Sequence, residues 1–172
     1  MGRQFFFARY RPGLSAHLTT AAQWRERIDA LTGYAEPPEI EVVVCHGPSG
    51  APIGAMYLAG IDSVNGKAEF SAGFLRGRGT RAIWEAIHFG LHHAFESLEL
   101  RKLLFHILAD NYPAVALLER LGARREGEFR AELAMPGGGF ADVRRYALFR
   151  DGDWPPLQAR LARLAPLVQT RK

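Results

Sequence analysis

At 172 residues, 48% of them hydrophobic, the chain has the length of one ordinary domain and enough apolar residues for a proper core. It has no apolar run near the ~20 residues of a membrane-spanning helix, and its single cysteine, Cys45, excludes an intramolecular disulfide. The net charge of +4 suits an anionic partner such as a phosphorylated cofactor, but like charges form no block, so no nucleic-acid arm is indicated.

The chain opens with Phe5, Phe6 and Phe7 between Arg3 and Arg9, without the longer apolar stretch or cleavage site of a secretory signal. Together with the lone thiol, this predicts a reducing, cytoplasmic setting. Thr19 and Thr20 can cap a helix carrying Trp24, Ile28 and Leu31, and Gly33 stops it. A strand over 40–45 has the β-branched centre Val42, Val43 and Val44, which predicts that Cys45 is a buried structural thiol. A turn over 47–50 leads to strands over 53–61 and 67–74, with Asn65-Gly66 between them as a type I′ hairpin signal. A glycine loop over 75–79 precedes a helix from about Thr80, with Ile83, Ile87, Leu91, Ala94, Phe95 and Leu98 on one face.

The apolar segment 102–109 reads as a central strand. Asp110 or Asn111 caps the next helix, Pro113 sits in its first turn, and Gly122 ends it. Strands over 126–134 and 142–149 follow, joined through Pro136 and three glycines. Asp153 caps a last helix through Leu157, Leu161 and Leu164. The whole is expected to be a single α/β domain over 1–172: a mixed, largely antiparallel sheet flanked by helices, with one parallel crossover.

The loop Arg76-Gly77-Arg78-Gly79-Thr80 lies between a strand and a helix. Helix N-termini carry unpaired N–H groups and partial positive charge, and glycines let the backbone approach an anion. With Arg78 and Arg81 the segment reads as a pyrophosphate site, or else as a tight turn with solvated arginines. Gly77, Gly79 and Ala82 also fit a dinucleotide fingerprint. That fold needs an opening βαβ unit, whereas this loop follows an antiparallel hairpin, and Asp110 is too distant to be the expected acid.

Arg76-Gly77-Arg78-Gly79 and Asn111-Tyr112-Pro113-Ala114-Val115-Ala116-Leu117 with Leu121-Gly122-Ala123 resemble two motifs of the GNAT superfamily. The segment 67–154 carries the resemblance. Its later part, with Arg125-Glu126-Gly127, Tyr146-Ala147-Leu148 and Asp153-Trp154, is similar to the branch of ribosomal-protein N-terminal and nucleotide-sugar amine acetyltransferases. The resemblance implies the acyl-CoA N-acyltransferase fold and transfer of an acetyl group from acetyl-CoA to a primary amine: an amino sugar, a protein N-terminus or a small amine. It places the cosubstrate in a cleft between two splayed strands, lined by Phe70, Ser71, Ala72, Gly73 and Phe74. Leu75, Arg76, Gly77, Arg78, Gly79, Thr80 and Arg81 would hold its phosphates. Asn111, Ala114 and Leu117 would meet its pantetheine arm, and Asn111 can serve equally as a helix cap. Glu69 falls where the family keeps a strand carboxylate that deprotonates the amine through water; the bland alternative is a solvent-facing strand residue.

Four departures from the family pattern stand out. Leu118 occupies the position of a frequent tyrosine acid, Arg81 stands where Gly or Ala is usual, the spacing from Glu69 to Arg76 is shorter than usual, and the N-terminal part is expected to be shortened. They motivate an alternative, a non-catalytic acyl-CoA-binding or interaction module. A homodimer is compatible with the family and would complete a shortened acceptor pocket. His88 and His92 are four apart but lack a third ligand, so no metal is expected and a partly exposed helix face is the simpler reading. His106 reads as a hydrogen-bonded core histidine, with a catalytic base as the alternative. Asp142 and Tyr146 suit either the acceptor side or strand pairing. Arg124, Arg125, Arg144 and Arg145 suit a solvated surface or an acidic substrate.

Overall fold

The computed structural model describes residues 39–47, 49–74, 80–135 and 138–167, together with positions 22, 23, 26, 29 and 30. The expected first helix is described only at Ala22, Gln23, Glu26, Asp29 and Ala30, which are helical and exposed; Thr19, Thr20, Trp24, Ile28, Leu31 and Gly33 lie outside the described residues.

Strand β1 (Glu39–Cys45) runs along one edge of the sheet and pairs antiparallel with β2 (Pro52–Asp62). Its side chains alternate: Ile40, Val42 and Val44 pack against the core, while Val43 is 67% exposed on the other face. Cys45 is exposed, which corrects the expectation of a buried thiol. The unbroken apolar run suggested burial on both sides, but an edge strand with one open face leaves alternate residues in water.

β2 returns antiparallel to β3 (Lys67–Phe74). The two strands approach so closely at Gly54 that a Cβ there would stand 2.4 Å from the Gly73 carbonyl oxygen. The connecting turn is not type I′, which needs positive φ at both central residues. Gly66 has φ 59°, but Asn65 is not among the positive-φ residues. Instead the Asp62 carboxylate accepts from the Asn65 backbone N–H at 2.8 Å and from its side-chain amide at 2.7 Å. The residue pair is a correct sign of a turn, and the aspartate chooses its geometry.

Helix α1 (Arg81–His92) passes into one π turn (His93–Ser97). The extra residue in that turn lets Ala94 and Phe95 both reach full burial, at 0% exposure. β4 (Lys102–Leu108) is central and runs parallel to β3. Helix α2 (Tyr112–Leu121) ends at Gly122, whose φ of 86° is the left-handed cap that the glycine predicts. β5 (Arg124–Ala134) and β6 (Phe140–Phe149) each begin two residues earlier than the sequence suggests, and β6 lies antiparallel to β4. Helix α3 (Trp154–Leu164) closes the chain's described part, and Asp153 at its start accepts from the Phe149 N–H at 3.1 Å rather than from its own helix.

The described strands form one mixed sheet in the order β1-β2-β3-β4-β6-β5. Ile87 and Leu91 of α1, Leu118 and Leu121 of α2, and Leu157 and Leu161 of α3 share one core cluster with Met56, Phe70, Leu103, Phe105 and Leu148 of the sheet. These three helices therefore pack on one face, and strand alternation sends Tyr57, Glu69, Ser71, His106 and Arg145 to the other. Among the described residues no helix is long and apolar enough to cross a membrane.

A Cβ on Gly90 would lie 2.7 Å from the ring of Phe70, which is buried and set edge-on to Phe105 at 5.8 Å. Gly90→Ala should thus destabilise by about 1–2 kcal/mol in urea unfolding, because overpacking outweighs the gain in helix propensity of ~1 kcal/mol. The hydrogen bonds from Asn65 hold the Asp62 carboxyl below the usual carboxylate range. Its contribution is therefore present above the ordinary aspartate range and lost as pH falls through the lowered value. Asp62→Ala should unfold more easily than wild type at neutral pH, and the gap should close in strong acid.

Candidate active site

β3 and β4 pair over only three steps, Lys67↔Lys102, Ala68↔Leu103 and Glu69↔Leu104. Past Glu69, β3 continues to Phe74 against β2, and β4 continues to Leu108 against β6. The backbone of residues 70–74 therefore has no strand partner on its β4 side among the described residues. Backbone polar groups need partners, so this opening suits an extended, hydrogen-bonding ligand. Because the two strands are parallel, the helices that follow them start at the same end of the sheet. Neither α1 nor α2 carries an acidic residue in its first turn. Both helix dipoles thus have their positive ends at the end of the sheet toward which the parted strands run.

At the last paired step stands Glu69. Its Oε2 lies 2.9 Å from His106 Nδ1. The other ring nitrogen, Nε2, accepts from Arg145 Nε–H at 2.9 Å. The Arg145 guanidinium lies 4.9 Å from the centre of the Phe129 ring, and His106 is 6.3 Å from the same ring. Glu69, His106 and Arg145 come from β3, β4 and β6, all on the sheet face away from the three helices. Glu69 keeps 37% of its side-chain surface accessible and His106 26%, so a substrate can reach the carboxylate while the ladder holds its backbone.

The sequence matches the acetyltransferase (GNAT) domain family over residues 4–124. The chain belongs to the GNAT acetyltransferase family. The match begins well before the segment that carries the motifs, so residues ahead of Thr19 fall in the family region as well. Among solved structures, a T. thermophilus protein assigned as an acetyltransferase is 29% identical with a TM-score of 0.68, over 84% of this chain and 74% of that one. A GCN5-related N-acetyltransferase from Brucella melitensis is 25% identical, TM-score 0.69, over 86% and 66%. The spermidine/spermine N-acetyltransferase SpeG from Vibrio cholerae, solved with manganese ions, is 25% identical, TM-score 0.63, over 75% and 72%. No curated protein sequence matches the chain.

Within this GNAT fold the expected site residues divide into several groups. Residues 75–79, with Leu75, Arg76, Gly77, Arg78 and Gly79, lie outside the described residues. Ser71, Gly73 and Phe74 are half-buried on the strand's open stretch and Ala72 is exposed, but the Phe70 side chain is in the core at 5% exposure. Thr80 holds the N-cap position of α1, and Arg81 donates to Glu85 at 2.7 Å. Ala114 and Leu117 are half-buried on α2, and Asn111 occupies its N-cap position without a side-chain capping bond. Leu118 is buried in the core at 5% exposure.

Several other residues turn out to be structural. His88 is buried, at 3% exposure, and donates through Nδ1 to the Ala165 carbonyl at 2.8 Å, which corrects the expected half-exposed face. No cluster of metal-binding side chains occurs among the described residues. Asp142 accepts from the backbone N–H of Ala131 at 2.7 Å, holding an irregularity of β5 where Ala131 has φ 50°. Tyr146 is buried, and burial, followed by Glu119 beside it, pushes its phenol above the usual range. Arg124 pairs with Asp153, while Arg125 and Arg144 both pair with Glu128, whose carboxylate raises the Arg144 guanidinium further. The sequence reads His106 chiefly as a core histidine and Arg145 as a surface or acid-attracting group; His106 instead lies on the sheet face away from the helices with 26% of its side chain accessible, which corrects the core reading. Only the parallel register of β3 on β4 reveals the two as site residues, because it sets Glu69 beside Leu104 and therefore diagonal to His106.

Since the Asn111 side chain does not cap α2, Asn111→Ala should cost less than the ~1 kcal/mol typical of a lost cap. Urea unfolding of the two proteins measures the difference directly.

Proposed function

We propose that this protein is an N-acetyltransferase that moves an acetyl group from acetyl-CoA to a primary amine, with Glu69 as the base. One observation carries the reading: an accessible carboxylate stands at the step where two parallel strands cease to pair, and the open stretch beyond it runs toward the end of the sheet where two helices begin. The open backbone of residues 70–74 and the start of α1, with the preceding glycine loop and Arg76, Arg78 and Arg81, would bind the cosubstrate. Asn111, Ala114 and Leu117 would line its arm from α2. The cosubstrate supplies a thioester whose carbonyl carbon accepts the amine.

The amine arrives as an ammonium ion. A water passes one of its protons to Glu69, and from there it goes to solvent. The neutral nitrogen then forms a C–N bond to the acetyl carbon as the C–S bond breaks. The second nitrogen proton ends on the departing sulfur, so the net products are the amide, the free thiol and one proton. A thiolate leaves readily near neutral pH, since the pKa of its thiol is about 8.5. The buried Leu118 in place of a tyrosine acid therefore does not block the reaction. Likeness to a spermidine/spermine N-acetyltransferase favours a cationic small amine over a protein N-terminus. We take residues 1–172 to act as one cytoplasmic domain, with a homodimer as its assembly.

An assay of acetyl transfer over di- and polyamines, amino sugars and short peptides tests this. Wild type should turn over at least one class, and Glu69→Gln should lower kcat by about 100-fold or more, the usual worth of a general base, with KM for acetyl-CoA unchanged. Absence of transfer to every amine by a protein that still binds acetyl-CoA would support the non-catalytic module instead.

A further inference from the structure

We propose that His106 is the positioning residue that fixes the Glu69 carboxylate, and that Arg145 sets the ring tautomer that enables it. This rests on the reading of Glu69 as the base. Donors and acceptors decide the direction of each contact. A guanidinium only donates hydrogen bonds. Arg145 Nε–H meets His106 Nε2 at 2.9 Å, so that nitrogen must present its lone pair. A neutral imidazole has one N–H, which is therefore on Nδ1. Nδ1 stands 2.9 Å from Glu69 Oε2, and an ionised carboxylate only accepts. Every contact in the chain from Arg145 to His106 to Glu69 thus runs in one direction.

The framework makes this arrangement rigid. His106 and Arg145 are direct cross-strand partners, and Glu69 is paired two residues before His106, with Leu104 on the same face. The guanidinium is held from below by the Phe129 ring at 4.9 Å. A carboxylate stands close by on the neighbouring strand, Glu128, but it takes Arg125 and Arg144. Arg145 is committed instead to an imidazole nitrogen, a contact that dictates where the ring proton sits. Without Arg145, the ring can carry its proton on Nε2 and turn a lone pair toward the carboxylate, which repels it.

With Oε2 tied to His106, Oε1 is the oxygen left to take the proton from a water-bridged amine. An untied glutamate on a half-open strand would sample several rotamers, and few of them would align with a bound amine. Misplacement by ~1 Å can cost up to 100-fold in rate.

The test compares steady-state kinetics of wild type, His106→Ala, His106→Asn, Glu69→Gln and the double variant Glu69→Gln/His106→Ala, using acetyl-CoA and the best amine of the panel. His106→Ala should lower kcat ~10-fold or more, within the range for a misaligned group, and leave KM for acetyl-CoA unchanged. His106→Asn keeps an N–H donor where Nδ1 stood and should recover most of the rate. If His106 works only through Glu69, the double variant should be no slower than Glu69→Gln alone. Should His106→Ala fail to fold, His106→Leu, which also lacks the N–H donor, and its combination with Glu69→Gln carry the same comparison. His106→Ala at wild-type kcat beside a crippled Glu69→Gln overturns the positioning role and leaves the base assignment standing. A double variant slowed by the product of the single losses also overturns it, since the histidine then acts independently. A Glu69→Gln protein as fast as wild type overturns both.

Discussion

The structure depends on a ladder that stops. Among the described strands, β3 and β4 are the only neighbours that run parallel, and they pair through Glu69↔Leu104 and no further. Everything that suits acetyl transfer is arranged around that step. The open strand beyond it offers hydrogen-bonding backbone, the two helices that follow the strands begin at the end of the sheet to which it runs, and the carboxylate stands at its start. A sheet paired along its full length would have satisfied those backbone groups internally and left no place for an extended ligand.

The two faces of the sheet divide the labour. One face is buried under α1, α2 and α3 in a single apolar cluster that includes Phe70, Phe95, Leu103 and Leu148. Close backbone and ring contacts at Gly54 and Gly90 fix how the hairpin and α1 sit on it. The other face carries the polar row from Tyr57 through Glu69 and His106 to Arg145. Rigidity made on the first face thus sets distances on the second. That is why a chain of hydrogen bonds across three strands can hold one carboxylate in place.

Much of the fold is legible because its signals are local. The apolar periods of Ile83, Ile87 and Leu91, the Gly122 stop and the bounds 67–74 need only short windows, and the structure agrees with them. Local signals mislead where a partner decides the outcome. Cys45 looks buried because edge position is not written in its neighbours. His88 looks half-exposed because its acceptor, Ala165, is 77 residues away. The Asn65-Gly66 signal gives a turn but not its type, since the Asp62 carboxylate competes for the backbone. Glu69 can be named from family resemblance. Its contacts with His106, and through it Arg145, require the register of two strands that no local pattern supplies.

The most direct check on the central claim is amide hydrogen exchange with and without acetyl-CoA. If the ligand completes the ladder that β3 leaves open, protection should rise at residues 70–74 and in the first turns of α1 and α2, and stay constant in β1 and β5. Protection confined to other elements, or none at saturating ligand, would contradict the assignment of the parted strands as the acetyl-donor site.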